Sequence, residues 1–316
     1  MRLPVVDVEP LREADPRGAA QVAAALTAAC EEHGFFLVEG HGVDMDAVHH
    51  LEELAREFFA LGEEEKARIA MARGGRAWRG WFPVRGELTS GRPDAKEGLY
   101  FGSELPPDDR PMHGPNLFPE RPAELRSAVL DHLDAMEDLG RALVGGLDLA
   151  LGVGGRLVQL VGDPLCLFRI FRYPPVDGPV DEADVEPEWG VGEHSDYGLL
   201  TILHQDRSGG LEVRTARGWR EVPPRPGAFV CNIGDMLERA TNGRFRSTLH
   251  RVRRPAHERI SMPYFFDPGW DAVVEPLVEG PGAAPERWDG TDPHLFGGPY
   301  GDYVWQKVGK VFPALG

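Results

Sequence analysis

The segment Gly192-Glu193-His194-Ser195-Asp196-Tyr197-Gly198-Leu199-Leu200-Thr201-Ile202-Leu203 is the part of the chain from which its fold and chemistry are best inferred. His194 and Asp196 are separated by one residue, and in an extended strand such residues point to the same side. Another histidine, His250, follows later in the chain. Two imidazoles and one carboxylate can occupy one triangular face of an octahedral metal ion and leave the other positions open. The sequence therefore predicts a metal site formed by His194, Asp196 and His250, although a histidine taken alone is more often partly buried without a metal.

This segment resembles the first metal motif of the iron(II)- and 2-oxoglutarate-dependent oxygenases. More narrowly, it resembles the branch that includes isopenicillin N synthase and the plant flavonoid and gibberellin oxygenases. Residues 232–236, Asn-Ile-Gly-Asp-Met, lead to residues 247–252, Ser-Thr-Leu-His-Arg-Val, as in that branch. Residues 259–266, Arg-Ile-Ser-Met-Pro-Tyr-Phe-Phe, are similar to its Arg-x-Ser signature. Several motifs in the family's order make the match specific, whereas a His-x-Asp pair alone would be weak.

The resemblance implies a dioxygenase that couples decarboxylation of 2-oxoglutarate, with release of succinate and CO2, to oxidation of a small organic molecule, usually by hydroxylation. It implies Fe(II) as the metal, 2-oxoglutarate and O2 as co-substrates, and ascorbate as a stimulant. Arg259 and Ser261, on one strand face, would bind the distal carboxylate of 2-oxoglutarate, and Tyr173 would assist them. Many family members have asparagine two residues before that tyrosine, where this chain has Phe171. Arg169 is therefore a candidate for holding the C1 end instead.

Two other functions stay open on the sequence alone. An iron oxidase of the same fold that does not use 2-oxoglutarate, of the oxidative cyclase or ethylene-forming type, also keeps an Arg-x-Ser motif, and succinate production would separate the cases. A non-catalytic jelly-roll binding protein is the alternative from another class, but it does not need a metal face together with an Arg-x-Ser pocket. Neither the substrate nor the choice between hydroxylation, desaturation and cyclisation follows from the motifs, because fold does not imply function.

Composition bounds the class of protein. The chain has 316 residues, of which 42% are hydrophobic and 27% charged, as is typical of globular proteins. A net charge of −17 excludes nucleic acid as an expected partner, because a polyanion would be repelled. No run of eighteen apolar residues predicts a membrane span. Residues 1–4 lack the apolar core of a secretory signal, and Cys30, Cys166 and Cys231 form no spaced framework. We therefore expect a cytoplasmic protein, monomeric or a weak homo-oligomer, and the Ala-, Arg- and Gly-rich usage favours bacterial secondary metabolism.

Hydrophobic periodicity divides the chain into a helical first half and a β-rich second half. Helices are predicted at residues 17–33, 45–61, 119–151 and 299–312. Short strands are predicted at residues 3–8, 35–38 and 98–101, and residues 73–102 otherwise read as irregular. From residue 165 the period becomes two, which predicts strands at residues 165–173, 197–204, 211–215, 219–222, 228–233, 247–254, 260–267 and 272–276. Such strands, separated by Gly-rich turns, predict a mainly β fold with a double-stranded β-helix (jelly roll) core and a helical N-terminal part.

The motifs place functional regions along this architecture. We expect a helical N-terminal region at residues 1–120, a long scaffold helix at 121–155, the jelly-roll Fe(II)/2-oxoglutarate domain at 156–280 and a C-terminal extension at 281–316, integrated as one structural unit. Trp78, Trp81 and Tyr100 are predicted substrate contacts because their loop-rich segment resembles the mouth of the family's active site, with core packing as the alternative. His41, beside a glycine, is interpreted as a turn residue rather than a metal ligand.

Overall fold

The computed structural model describes residues 3–13, 15–175, 189–282, 290 and 292–312. Its strands are β1 (Val5–Asp7), β2 (Phe35–Glu39), β3 (Gly80–Phe82), β4 (Glu97–Gly102), β5 (Leu165–Tyr173), β6 (Trp189–His194), β7 (Leu200–Gln205), β8 (Leu211–Thr215), β9 (Gly218–Glu221), β10 (Phe229–Ile233), β11 (His250–Arg253) and β12 (Arg259–Asp267). Its α-helices are α1 (Glu9–Arg12), α2 (Pro16–Glu32), α3 (Met45–Phe59), α4 (Glu63–Lys66), α5 (Leu125–Leu151), α6 (Arg156–Gln159), α7 (Asp235–Ala240) and α8 (Tyr300–Val311).

Two sheets enclose the central cavity. Within the described residues, one sheet has eight strands in the order β1-β2-β10-β7-β12-β5-β4-β3, and the other has four in the order β6-β11-β8-β9. Arg259 on β12 lies opposite Tyr173 on β5, and Ser261 lies opposite Phe171. These residues line the cavity from the large sheet, and Val191 on β6 lines it from the small one. The predicted jelly-roll core with a helical N-terminal part is therefore confirmed, in a fold whose overall content is mixed α/β.

The helices are fixed by caps and by one close approach to the large sheet. The Asp44 carboxylate accepts hydrogen bonds from the backbone amides of Asp46 and Ala47, and so caps α3. The long helix α5 packs across the back of the sheet against β5, β7 and β12. A Cβ atom at Gly140 of α5 would lie 2.6 Å from the ring of Phe266 on β12, so only glycine permits this distance. The helical layer therefore supports the strands that carry the site.

One predicted helix start and one predicted strand were wrong, and the structure gives a reason for each. Helix α5 begins at Leu125 rather than at residue 119, because Pro122 disfavours helical backbone at the preceding residue. Residues 272–276 do not form a strand. The carbonyl of Ala272 accepts a hydrogen bond from the amide of Tyr300, and that of Val274 accepts one from the Arg239 side chain. The polar backbone groups of this segment thus bond to the C-terminal helix and to a side chain instead of to a neighbouring strand.

Among the short elements that the periodicity analysis did not anticipate are β3, β6 and α7. Strand β3 lies within the stretch that we interpreted as irregular, and its short sequence Gly-Trp-Phe shows no repeat. Strand β6 contains two glycines and immediately follows the acidic run at residues 181–188, which lies outside the described residues. Helix α7 has only six residues, too few for a helical period to be recognised. All three were missed because they are short.

The buried imidazole of His132 on α5 predicts a pH-dependent stability. It packs on Phe168 with 4.7 Å between ring centroids, and burial, followed by the charge of His204, lowers its pKa to about 3. Below about pH 6.5 the unfolded chain binds a proton that the folded protein does not, so the contribution of this group to stability falls as the pH drops. When the pH is lowered from 7.5 to 5.5, wild type should lose about 1.4 kcal/mol of unfolding free energy that the variant His132→Leu keeps. Urea unfolding of both proteins at the two pH values measures these free energies. If the variant and wild type differ in stability by the same amount at both pH values, the buried imidazole is not held neutral.

Candidate active site

The three predicted metal ligands lie together. His194 ends β6, Asp196 follows two residues later, and His250 begins β11 directly opposite His194 in the strand register. Asp196 Oδ1 lies 3.8 Å from His194 Nε2 and 3.6 Å from His250 Nε2. The three ligand atoms lie within 4.8 Å of one another. Two imidazole nitrogens and one carboxylate oxygen at this separation suit a divalent first-row metal such as Fe(II).

Each histidine is oriented by its second ring nitrogen. Nδ1 of His194 lies 2.8 Å from the carbonyl oxygen of Gly192, and Nδ1 of His250 lies 3.1 Å from that of Thr248. Because a carbonyl only accepts, Nδ1 of each ring carries the proton and Nε2 keeps its lone pair. Both imidazoles therefore present a free Nε2 toward Asp196, as a metal site requires.

The electrostatics of the cluster favour the forms that bind metal. Burial, together with the neighbouring His250, lowers the pKa of His194 to about 3, so this ring is neutral at physiological pH. Burial alone would raise the pKa of Asp196, but the two histidines and the hydrogen bonds from Thr201 and Asn232 outweigh it and lower that pKa. The site therefore combines neutral imidazole with ionised carboxylate.

Sequence reasoning missed the two residues that orient the aspartate. The Thr201 hydroxyl on β7 and the Asn232 side-chain amide on β10 both donate to Asp196 Oδ2, the latter at 2.6 Å. They leave Oδ1 as the oxygen that faces both histidines. Both residues belong to the recognised motifs, but the pairing that brings Thr201 opposite Asn232 appears in the structure and not in the sequence.

Removing one of these donors should weaken metal binding without removing a ligand. We expect Thr201→Val, which keeps the shape of the side chain, to lower the affinity for Fe(II) by roughly 10-fold, in line with the effect of other partners of metal ligands. Anaerobic metal titration measures the change. Thr215→Val on β8, whose hydroxyl donates to the Gly218 carbonyl and accepts from the Arg217 amide, is the matched control. Equal affinities in the two variants would show that Thr201 does not hold the carboxylate.

A buried arginine, Arg259 on β12, lies in the same cavity as the metal ligands. The Arg259 side chain is 1% exposed, and its Nε donates to the Gly209 carbonyl at 2.8 Å, while its Nη1 has no hydrogen-bond partner among the described residues. The guanidinium lies 4.7 Å from the ring centre of Tyr173, and the Ser261 hydroxyl donates to the Tyr173 hydroxyl at 3.4 Å. An unpaired cationic nitrogen beside two hydroxyls fits the carboxylate of a bound ligand.

The wall of the cavity next to β4 and β5 is charged. Lys96 pairs with Glu87 at 2.8 Å and with Asp94 at 2.9 Å, and its ammonium group lies 4.4 Å above the ring of Phe171. The Tyr100 hydroxyl donates to Glu87 at 2.6 Å. Phe171, which replaces the asparagine of many family members, is therefore covered by a cation. No role in the site was predicted from the sequence for Lys96, Glu87 or Asp94.

The predicted substrate residues separate into two groups. Tyr100 lines the cavity, whose volume is about 160 Å³. Trp78 is fully buried against Trp305 and Phe312, and the Trp81 indole donates to Glu97 at 2.9 Å. Neither tryptophan lines the cavity. Their placement is core packing, because the aromatic segment of which they are part folds under the C-terminal helix rather than around the mouth.

Other elements complete the enclosure. Helix α8 lines the cavity with Val304, Val308 and Val311, and the Leu88 amide donates to the Val311 carbonyl. His41 lies away from the site, as interpreted, where Nε2 lies 3.1 Å from the Gly227 carbonyl and Nδ1 accepts from the Val43 amide. The C-terminal helix thus closes the side of the cavity that the sheets leave open.

Two histidines and one aspartate within a jelly roll, with a buried arginine whose Nη1 has no partner among the described residues, define the site of a non-haem iron oxygenase. Residues 3–121 match the N-terminal domain described for a non-haem dioxygenase in morphine synthesis, and residues 164–268 match the 2OG-Fe(II) oxygenase superfamily. The chain belongs to the 2OG-Fe(II) oxygenase superfamily. It is a 2-oxoglutarate-dependent dioxygenase, with Fe(II) bound by His194, Asp196 and His250 and 2-oxoglutarate as co-substrate.

The individual relatives agree with this assignment. A probable iron/ascorbate oxidoreductase of Dictyostelium discoideum is 39% identical over 99% of this chain and 96% of its own length. A 1-aminocyclopropane-1-carboxylate oxidase of the same organism is 32% identical over 99% of this chain and 95% of its own. A homoarginine-6-hydroxylase of Arabidopsis thaliana is 36% identical over 87% of each chain. A crystallised Neurospora crassa protein in complex with alpha-KG and thymine has a TM-score of 0.80 and 26% identity, over 97% of this chain and 96% of its own.

No helix in the described part of the chain is both long and apolar enough to cross a bilayer.

Proposed function

We propose that this enzyme hydroxylates a small organic molecule, with release of succinate and CO2, and that Arg259, Ser261 and Tyr173 bind the distal carboxylate of 2-oxoglutarate. The observation that carries the proposal is the buried Arg259 Nη1, which has no partner among the described residues and lies in the cavity that also contains the metal ligands. A buried cation without a counter-charge is unfavourable, and a ligand carboxylate would compensate it. When bound, the iron supplies the activation of O2 that oxidises a C–H bond.

The protein's own residues have positioning and enclosing roles in this proposal. Thr201 and Asn232 hold the Asp196 carboxylate, and the two backbone carbonyls hold the histidine rings. The valines of α8 exclude water from the cavity, which strengthens the interaction of Arg259 with an anion. The names of two relatives, a homoarginine hydroxylase and a 1-aminocyclopropane-1-carboxylate oxidase, support a small amino acid as the substrate.

Succinate formation tests the proposal directly. The Fe(II)-loaded enzyme is incubated with 2-oxoglutarate, O2 and a panel of small amino acids, and succinate and oxidised product are quantified together. We expect one member of the panel to raise succinate above the level seen without substrate, with product in equal amount. Oxidation of substrate without consumption of 2-oxoglutarate would contradict the proposal.

Oxidation of 1-aminocyclopropane-1-carboxylate is the second candidate reaction. The observation that favours it is the match over nearly the whole chain to the 1-aminocyclopropane-1-carboxylate oxidase. This amino acid would then be the member of the panel that the enzyme oxidises. Ethylene, measured in the same assay, separates this reaction from hydroxylation.

A further inference from the structure

A second arginine in the cavity, Arg169 on β5, is buried without an acidic partner. Its side chain is 5% exposed, and its Nη1 donates to the carbonyls of Phe101 and Phe168, each at 3.1 Å. The guanidinium lies over the ring of Tyr100, 3.5 Å from its centre. Within the described residues, no carboxylate lies at ion-pair distance from it, and the side chain that hydrogen-bonds to it is the neutral Tyr100. Backbone carbonyls hold Nη1, whereas Nε and Nη2 make no described backbone hydrogen bond, so this edge is available to an acidic ligand.

The available edge has the geometry of a carboxylate receptor. Nε–H and Nη2–H point in parallel from a planar guanidinium, and this fork matches the two oxygens of a carboxylate. The stack on Tyr100 fixes the plane of the fork, and the Tyr100 hydroxyl is itself fixed by Glu87. Because Arg169 lines the cavity that also contains the metal ligands, an anion bound there would share the cavity with the iron.

The position of Arg169 along β5 argues that this anion is not 2-oxoglutarate. Tyr173 lies opposite Arg259, and Arg169 is four residues away on the same face of the strand, about 13 Å along it. The five-carbon chain of 2-oxoglutarate has four carbon–carbon bonds of roughly 1.5 Å, so it spans at most about 6 Å. The co-substrate is therefore shorter than the separation of the two strand positions.

We propose that Arg169 binds the carboxylate of the substrate, so that the enzyme acts on small organic carboxylates, amino acids among them. This inference rests on the proposed function, because it assigns the co-substrate to Arg259. The remaining charges of this wall, Lys96 with Glu87 and Asp94, are already paired with one another. Arg169 is the cation of the wall that a ligand can neutralise.

The test compares acids with their uncharged analogues. The protein is loaded anaerobically with Fe(II) and 2-oxoglutarate, and binding of 2-oxoglutarate is measured first by the visible charge-transfer band. Calorimetry then measures binding of a panel of small L-amino acids and other carboxylic acids, each beside its carboxamide and its phosphonate. Wild type, Arg169→Gln and Arg169→Lys are compared. Arg79→Gln is the matched control, because Arg79 is a fully buried arginine that bonds only to carbonyls and does not line the cavity.

The outcomes separate this inference from the proposed function. We expect wild type to bind at least one acid about 30-fold more tightly than its amide. Arg169→Gln should lose this preference for the acid while its binding of 2-oxoglutarate is unchanged. Arg79→Gln should keep the preference for the acid. No acid preference in wild type would overturn the inference whether or not the variants fold, and so would a preference for phosphonates. Weakened 2-oxoglutarate binding in Arg169→Gln would assign this arginine to the co-substrate. If 2-oxoglutarate does not bind at all, the proposed function fails, and the comparison of acid with amide on the Fe(II)-loaded protein still decides the role of Arg169.

Discussion

Replacing His250 with alanine is expected to lower the affinity for Fe(II) by more than about 100-fold and to abolish turnover. His250 supplies one of three ligands, and even the partners of metal ligands are worth roughly 10- to 100-fold in affinity. The remaining pair, His194 and Asp196, cannot occupy a triangular face of the metal. Anaerobic titration with Fe(II), followed by metal analysis of the desalted protein, measures the loss.

A second histidine provides the control for this substitution. His41 is 6% exposed, close to the 7% of His250, and it also bonds to a backbone carbonyl. Its Nδ1, however, accepts from the Val43 amide, so its ring has no nitrogen free for a metal. His41→Ala should lose some stability and keep full iron binding. Retention of one iron per chain in His250→Ala would disprove the ligand assignment.

The metal ligands could be predicted because their geometry is local. Residues two apart in sequence lie within about 7 Å of each other, so His194 and Asp196 are close whatever the rest of the fold, although Asp196 lies beyond the end of β6. His250 was found through its motif, and the structure gives the physical reason for its position: it lies directly opposite His194 across the β6–β11 pair. A short spacing and one register therefore account for the whole cluster.

The partners of the ligands could not be predicted, because they depend on strand order. Thr201 and Asn232 both reach Asp196 because β7 and β10 are neighbours in the large sheet. In the sequence, however, two other strands, β8 and β9, lie between them. The period of two identifies strands and their inward residues, but it does not state which strands pair. The same applies to Lys96 and Glu87, whose loop reaches the cavity only in the folded chain.

The aromatic segment shows a different limit of sequence reasoning. Tyr100 and Trp81 both lie on short strands, β4 and β3, that pair with each other at the end of the large sheet. Tyr100 faces the cavity, while the Trp81 indole bonds to Glu97 in the interior. A tryptophan or tyrosine has the same apolar body in either place, so composition does not distinguish a binding surface from a core. The alternative of core packing describes the positions of Trp78 and Trp81.

Replacing Arg259 with glutamine is expected to raise the dissociation constant for 2-oxoglutarate by about 30-fold or more. Removing one partner of a buried charge pair costs roughly 2–5 kcal/mol, partly because the other charge is left unpaired. Arg259 is 1% exposed, and its Nη1 has no partner among the described residues, so an anion there has little solvent to compensate for the loss. The charge-transfer band of the anaerobic Fe(II) enzyme, titrated with 2-oxoglutarate, measures the constant. Iron affinity should not change, because Arg259 makes no described contact with the ligands.

The size of the effect also tests how the carboxylate is held. Ser261→Ala removes a neutral hydroxyl, which is worth about 1 kcal/mol, so it should raise the same constant only about 5-fold. Arg253→Gln, at an exposed guanidinium paired with Glu212 and Glu221, removes the same charge outside the cavity and should leave the constant unchanged. If Arg259→Gln behaves like Arg253→Gln, then 2-oxoglutarate is held elsewhere, and Arg169 becomes the arginine to test for that role. A large effect of Arg259→Gln with a small one of Ser261→Ala would instead mean that the buried charge, rather than the hydroxyl, provides most of the binding energy.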